Sequence, residues 1–241
     1  MPHLTRRAAL GAAILAPAGL AGCAAMPDLP VFGTLTGGWS RQGQGAIETP
    51  DYERTYAALP REKHRVAALD LSMMDPSFLR ADIPYAGAEA VGTIVVEPRK
   101  HHLYLVTASG RARRYGIAVG PEARGFTGGA TVAAKRNWPE WADSPVIASR
   151  ARSGWAQLAT PVNVAPTKAG ATIPGGPRSP RGARGLYLAA NGQDAGYVIH
   201  GTPSPEAVGQ DIKSGCIAMI NQDAIDLYDR VREGTRVVVL G

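Results

Sequence analysis

The feature that most constrains the fold is a succession of short β-branched runs separated by turns, which begins at Gly92. Thr93–Glu97 (TIVVE) and Leu103–Thr107 (LYLVT) flank one turn, and Tyr115–Val119 follows the turn at 108–110. Hairpin after hairpin predicts an antiparallel meander and a mainly β domain. Further predicted strands are Thr131–Ala134, Leu186–Ala189, Tyr197–His200, Gly215–Met219 and Arg236–Leu240.

Helical signals are few. The 29 Gly and 19 Pro among 241 residues favour turns and argue against a helical bundle. Gln222–Arg232 is the convincing helix, with Asn221 as its predicted N-cap and an apolar face at 3.6-residue spacing. Tyr52–Ala58 is a shorter candidate.

The first residues resemble an export signal. Residues 1–22 place Arg6-Arg7 before an apolar stretch too short for a comfortable membrane span. Leu20-Ala21-Gly22-Cys23 resembles a bacterial lipobox, which implies that Cys23 becomes a lipidated N-terminus. The resemblance implies a periplasmic lipoprotein, and Ala24 after the Cys suggests the outer membrane. Arg6-Arg7 fits a twin-arginine signal and an ordinary basic start equally, so both export routes stay open.

The mature chain divides into three predicted parts. Residues 23–50 read as a flexible tether, residues 51–91 as an arm packed on the main domain, and residues 92–241 as that domain. The stretch 137–185 is too long for a structural connection, so we expect it to carry function. Trp138 and Trp141 within it are interpreted mainly as core anchors rather than as a sugar-stacking rim.

Charge narrows the set of partners. The net charge of +6 includes two Arg of the signal segment, and the remaining basic residues form no stripe. Nucleic-acid binding therefore has little support, and an anionic cell-wall polymer is the easier partner.

His200 and Cys216 are the candidate chemical pair. His200 ends a predicted strand, and Cys216 follows sixteen residues later, after Gly215. An imidazole can take the proton of a thiol, and the thiolate can then attack an acyl carbon. The spacing alone also fits a buried structural Cys and an ordinary polar His, and it does not decide between these readings.

The region around this pair resembles a known family. His200-Gly201 followed by Lys213-Ser214-Gly215-Cys216 is similar to the signature of the L,D-transpeptidases (YkuD-type). The resemblance extends over residues 92–241 and includes the segments GTIVVEPRKHHLYLV, GARGLYL, IHGT and NQDAIDLYDRVREGTRVVVL. It implies a β-sandwich or open barrel with a long active-site loop and one C-terminal helix.

The resemblance also implies roles for single residues. Cys216 would be the nucleophile, His200 its general base, and the Gly201 carbonyl the group that orients the imidazole. Backbone N–H groups at Gly215 and Cys216 would form the oxyanion hole.

Ser214 and Arg184 would contact substrate, although Arg184 fits a salt bridge equally well. Two positions depart from the family pattern. Lys213 stands where Ser or Thr is usual, and Ala218 stands where Arg or Asn is usual, which removes a donor that commonly helps to hold the substrate.

The implied reaction is acyl transfer on peptidoglycan stem peptides, without a metal or organic cofactor. The acceptor would be an amine of another stem or of a wall-anchored protein. One alternative keeps the thioester and uses water, which makes the protein an L,D-carboxypeptidase or endopeptidase. Another is a non-catalytic peptidoglycan-binding lipoprotein, with Ala218 as the sign of a decayed site.

Overall fold

The computed structural model describes residues 51–141, 172–212 and 216–241, all within one compact unit, Glu48–Gly241. The predictions for residues 1–50, for most of the long loop and for positions 213–215 lie outside the described residues. None of the helices in the described ranges is long and apolar enough to cross a membrane.

Strands dominate the described part of the chain, and they match the strands expected from the sequence except at Tyr115–Val119, which is divided at Ile117 between two strands. The strands are β1 (Ala81–Pro84), β2 (Ile94–Glu97), β3 (His102–Ala108), β4 (Arg111–Gly116), β5 (Ala118–Val119), β6 (Gly128–Asn137), β7 (Arg184–Ala190), β8 (Gln193–Thr202), β9 (Ile217–Ile220) and β10 (Arg236–Val239). The helices are α1 (Tyr52–Thr55), α2 (Pro121–Gly125) and α3 (Asn221–Arg230).

These strands form one sheet in the order β1-β4-β3-β2-β10-β6-β7-β8-β9-β5. The predicted antiparallel meander is confirmed for β2, β3 and β4. Two pairings are parallel, β2 with β10 and β8 with β9. Ile117 alone separates β4 from β5, which lie near opposite edges of the strand order, so the sheet must curl back toward itself. The mainly β, open-barrel expectation is confirmed.

The two faces of the sheet differ in chemistry. Leu186, Ile199 and Ile217 lie in neighbouring strands and belong to the main apolar core, together with Leu227 of α3. Because side chains alternate along a strand, the residues next to them in sequence point to the opposite face. His200 and Ala218 occupy that opposite face, which we call the reaction face.

The segment 51–80 packs against α3. Tyr56 is buried in a second cluster with Ile220 and Val208. The Tyr56 hydroxyl donates a 3.0 Å hydrogen bond to Oδ2 of Asp223, and the Gln222 amide donates to the Tyr56 carbonyl. We call this region the arm contact. It ties residues far apart in sequence to one end of the helix.

Helix α3 starts one residue earlier than predicted. Ile220 occupies the N-cap position, and no side chain caps the helix there. Asn221, the predicted N-cap, is the first helical residue, and its amide bonds two loops instead. Trp138 is buried against Val66 and Ala183, as expected of a core anchor.

Candidate active site

The register of β8 and β9 brings His200 and Cys216 together. The strands are parallel, and His200 pairs with Ala218. Cys216 directly precedes β9, and its carbonyl accepts a hydrogen bond from the Gly120 N–H, which continues the β5–β9 pairing. Since Ile217 points into the core, Cys216 and Ala218 point to the reaction face with His200. Cys216 therefore lies two positions before Ala218, the register partner of His200.

His200 is buried, and its ring is held by a local contact. Nδ1 lies 2.5 Å from the Gly201 carbonyl oxygen. A carbonyl only accepts, so Nδ1 carries the proton and Nε2 of the neutral ring is left as an acceptor. Burial lowers the pKa of His200 to about 4; the bond to Gly201 opposes this shift, and the nearby Arg181 charge adds to it. His200 is therefore a neutral base at neutral pH.

Asn221 fixes the turn that follows His200, a contact that the sequence analysis missed. Its Oδ1 accepts from the Ala183 N–H at 2.9 Å, and its Nδ2 donates to the Thr202 carbonyl at 2.8 Å. A Cβ on Gly201 would collide with the Asn221 amide oxygen. A Cβ on Gly182, whose φ is +53°, would lie 2.6 Å from the Gly201 carbonyl carbon. Glycine at both positions lets the two loops touch.

Arg181 also approaches the reaction face, and no motif in the sequence signalled it. The residue is only 5% exposed. Its guanidinium donates to the Tyr187 hydroxyl at 2.8 Å and lies 5.3 Å from the centre of that ring. Gly185 pairs with His200, and Tyr187 pairs with Val198. Since Tyr187 is two residues after Gly185 on the same strand, its side chain lies on the same face as that of His200.

Arg184 lies on the other face of the sheet. Its neighbour Gly185 pairs with His200. Because neighbouring side chains on a strand point to opposite faces, the Arg184 side chain projects toward the face that packs on the helix. There its guanidinium makes two bonds to the Glu62 carboxylate, at 2.8 and 2.9 Å, and stacks over Tyr228. The expected substrate contact at Arg184 is thus not brought to the pair; the salt-bridge alternative matches the geometry.

The remaining predicted site residues divide by whether they are described. Cys23, Ser214 and Gly215 lie outside the described residues, as does Lys213. Ala218 pairs with His200 from β9, so the family's usual Arg or Asn is absent from the register partner of His200. No group of three His, Cys, Asp or Glu side chains in the described ranges is arranged to hold a metal ion.

The site combines an oriented neutral imidazole on β8 with a thiol directly before the neighbouring strand β9. Such a pair can transfer a proton from sulfur to a leaving amine while the sulfur attacks a carbonyl carbon. The reaction face also carries one buried guanidinium, which suits an anionic group on the reactant.

Known proteins resemble the same part of the chain. The YkuD model of the L,D-transpeptidase catalytic domain matches residues 92–239. "Probable L,D-transpeptidase YcfS" of Escherichia coli is 30% identical over 110 residues, which cover 46% of this chain and 30% of that protein. "Probable L,D-transpeptidase ErfK/SrfK" of Salmonella typhimurium is 36% identical over 70 residues, 29% of this chain and 21% of that protein.

A solved structure from Brucella melitensis, named a probable carnitine operon oxidoreductase, is 41% identical and covers 71% of this chain and 99% of its own, with a TM-score of 0.41. That name belongs to the Brucella protein, and at this TM-score the superposition adds nothing to the assignment. The matched segments span only 30–38% of the length of the first curated relatives.

Proposed function

The chain belongs to the family of L,D-transpeptidase catalytic domains, and from that premise we propose that it is a peptidoglycan L,D-transpeptidase with Cys216 as nucleophile and His200 as general base. The substrate is the stem peptide of peptidoglycan. The product is a cross-link between two stems, or a link between a stem and a wall-anchored protein.

One observation carries the proposal: the parallel β8–β9 register pairs His200 with Ala218, two positions after Cys216, which supports a thiol and an imidazole acting on the same face of the sheet. The bond from Nδ1 to the Gly201 carbonyl supports it further, because this bond leaves Nε2 as the proton acceptor. The lowered pKa of His200 keeps that acceptor neutral at neutral pH.

In the first half-reaction, the Cys216 sulfur attacks the carbonyl carbon of the third stem residue. His200 takes the thiol proton and passes it to the nitrogen of the terminal D-Ala as the C–N bond breaks. Free D-Ala leaves and a thioester remains. Backbone N–H groups at Gly215 and Cys216 stabilise the oxyanion.

In the second half-reaction, an acceptor amine attacks the thioester carbon. His200 removes a proton from the amine and returns one to sulfur as the C–S bond breaks. The new amide is the cross-link. Water as the acceptor would give a shortened stem instead, which is the hydrolase alternative.

Product analysis tests the proposal. Purified residues 48–241 are incubated with disaccharide-tetrapeptides, beside the matched Cys216→Ala protein. We expect new dimers joined through third residues, with release of D-Ala, from the wild type alone. Tripeptides without dimers would replace the transferase by a carboxypeptidase. Binding to the wall without turnover would indicate the non-catalytic lipoprotein.

We propose further that residues 1–22 are removed and that Cys23 carries a lipid that anchors the enzyme in the periplasm at the outer membrane. The support is the lipobox-like Leu20-Ala21-Gly22-Cys23. Labelling of cells with an alkyne fatty acid should mark the wild-type protein and leave Cys23→Ala unmarked. Equal labelling of both would refute lipidation at this residue.

A further inference from the structure

The imidazole of His200 has an unusual neighbourhood. Ala218 faces it from β9 and supplies no hydrogen-bonding group. A guanidinium reaches the same face from the opposite side of β8, where Arg181 is held on Tyr187. The reaction face thus carries a cation, but Arg181, which precedes β7, supplies it instead of position 218 on β9.

Arg181 is close to the turn that carries the His200 contact. The next residue, Gly182, is so near the Gly201–Thr202 peptide that a Cβ would lie 2.6 Å from its carbon and 2.8 Å from its nitrogen. Asn221 bonds both segments and keeps them together. The positive charge of Arg181 also lowers the pKa of His200, because it disfavours the charged imidazolium. The side chain is therefore positioned by packing rather than free to swing away.

The proposed reaction brings an anion close to His200. The leaving residue is a single amino acid, so its carboxylate lies two bonds from the nitrogen that His200 protonates. A cation beside His200 is then within reach of that carboxylate. Guanidinium groups bind carboxylates through charge-assisted and often paired hydrogen bonds.

We propose that Arg181, braced by Tyr187, binds the terminal carboxylate of the donor stem and replaces the side chain that is missing at Ala218. The inference rests on the proposed function. It gives the site a preference for donors that end in a free carboxylate over donors that end in a carboxamide.

The experiment compares two tetrapeptide donors, identical except for a C-terminal carboxylate or carboxamide. We expect the wild-type kcat/KM to favour the carboxylate at least about tenfold, the size of one charged hydrogen bond. Arg181→Met should bring the ratio close to one, and Arg181→Lys should keep part of it. The exposed Arg178, three residues earlier, gives the matched control Arg178→Met, which should keep the wild-type ratio. An unchanged ratio in Arg181→Met, or an equal loss for both donors, would overturn the proposal.

A second measurement does not need a peptide donor. Iodoacetate and iodoacetamide alkylate the Cys216 thiol and differ in charge. A neighbouring guanidinium should raise the ratio of iodoacetate to iodoacetamide rates, and Arg181→Met should lower that ratio several-fold while Arg178→Met leaves it unchanged. If wild type turns over neither donor, the proposed transferase fails, and the alkylation ratio alone decides on the cation site. An alkylation ratio insensitive to Arg181→Met would contradict it.

Discussion

Two buried regions of the molecule each hold a titratable group with a displaced pKa, and they differ in what surrounds it. On the reaction face, burial lowers the pKa of His200 to about 4. In the arm contact, burial raises the pKa of Asp223 to about 7, against the pull of Arg80. A displaced pKa by itself therefore does not mark a catalytic group.

The two regions differ in the groups that contact Asp223 and His200. Asp223 accepts from Tyr56, and Arg80 lies 3.5 Å from its other oxygen and 2.8 Å from the Asp226 carboxylate. These contacts join the segment before β1 to helix α3. His200 is bonded through Nδ1 to the Gly201 carbonyl, which leaves Nε2 of the neutral ring as an acceptor. The first region ties the fold together, and the second is the proposed site of the chemistry.

The largest expected effect is on the reaction face. Cys216→Ala should lower the rate of stem-peptide turnover by at least about 10³-fold, because removing a nucleophile leaves only binding and oxyanion contacts. The temperature of unfolding should change little, since the replacement is small and the pair is not part of the main core. Turnover measured beside thermal unfolding checks both halves. Comparable activity in the variant would place the nucleophile elsewhere.

Arg184 sharpens the division between the two faces of the sheet. Arg184→Met leaves the partly buried Glu62 carboxylate without its guanidinium, and we expect a loss of about 3 kcal/mol of unfolding free energy. The KM for the donor should stay within about twofold of wild type, since Arg184 points away from the reaction face. Urea unfolding and steady-state kinetics measure the two effects. A raised KM with unchanged stability would return Arg184 to the substrate site.

Tyr56 tests the arm contact with a smaller change. Tyr56→Phe removes a hydrogen bond to the buried Asp223 carboxylate and should cost about 2 kcal/mol of unfolding free energy. The expected kcat is that of wild type, because Tyr56 lies in the cluster with Ile220 and Val208 rather than on the reaction face. Denaturant titration and turnover assays report the two quantities. A strong fall in kcat at full folding would link the arm to catalysis.

The most gradual expected effect is a slope of stability with pH. Folded Asp223 keeps its proton up to about pH 7, whereas the unfolded side chain loses it near pH 4. Its contribution to stability is therefore full below pH 4 and is lost as the pH rises to 7. The unfolding free energy of Asp223→Asn minus that of wild type should climb by about 1 kcal/mol per pH unit in this window.

For His200 the expected slope of stability with pH has the opposite sign. The folded ring stays neutral down to about pH 4, whereas the unfolded ring takes a proton near pH 6.5. Its contribution is full above pH 6.5 and is lost as the pH falls to 4. The unfolding free energy of His200→Gln minus that of wild type should therefore rise as the pH falls. Denaturant unfolding from pH 4 to 8 measures both variants, and slopes of equal sign would contradict the contrast.

The sequence was sufficient for the local parts of this structure. The strands around Val95, Leu105 and Val237 are short apolar runs, rich in β-branched residues or bounded by turns, which can be read from the chain itself. The pairing of β8 with β9 in parallel, and the contact of Tyr56 with Asp223 across 167 positions, depend on which segments meet in space. No local pattern encodes such contacts.

The same reasoning applies to single residues. Asn221 has the right chemistry for a helix cap, yet two nearby loops take its amide. Arg184 has the right charge for a substrate contact, but the alternation of β7 turns it toward Glu62. Arg181 carries no motif, and its place on the reaction face follows from its bond to Tyr187 and from the β7–β8 register.

The central claim is that Cys216, activated by His200, forms a covalent acyl-enzyme. Intact-mass spectrometry after mixing with a carbapenem tests it most directly, because a β-lactam carbonyl acylates an activated thiol and leaves a stable mass increase. We expect one adduct on the wild type, a much slower adduct on His200→Gln, and none on Cys216→Ala. An adduct of equal size and rate on Cys216→Ala would contradict the account.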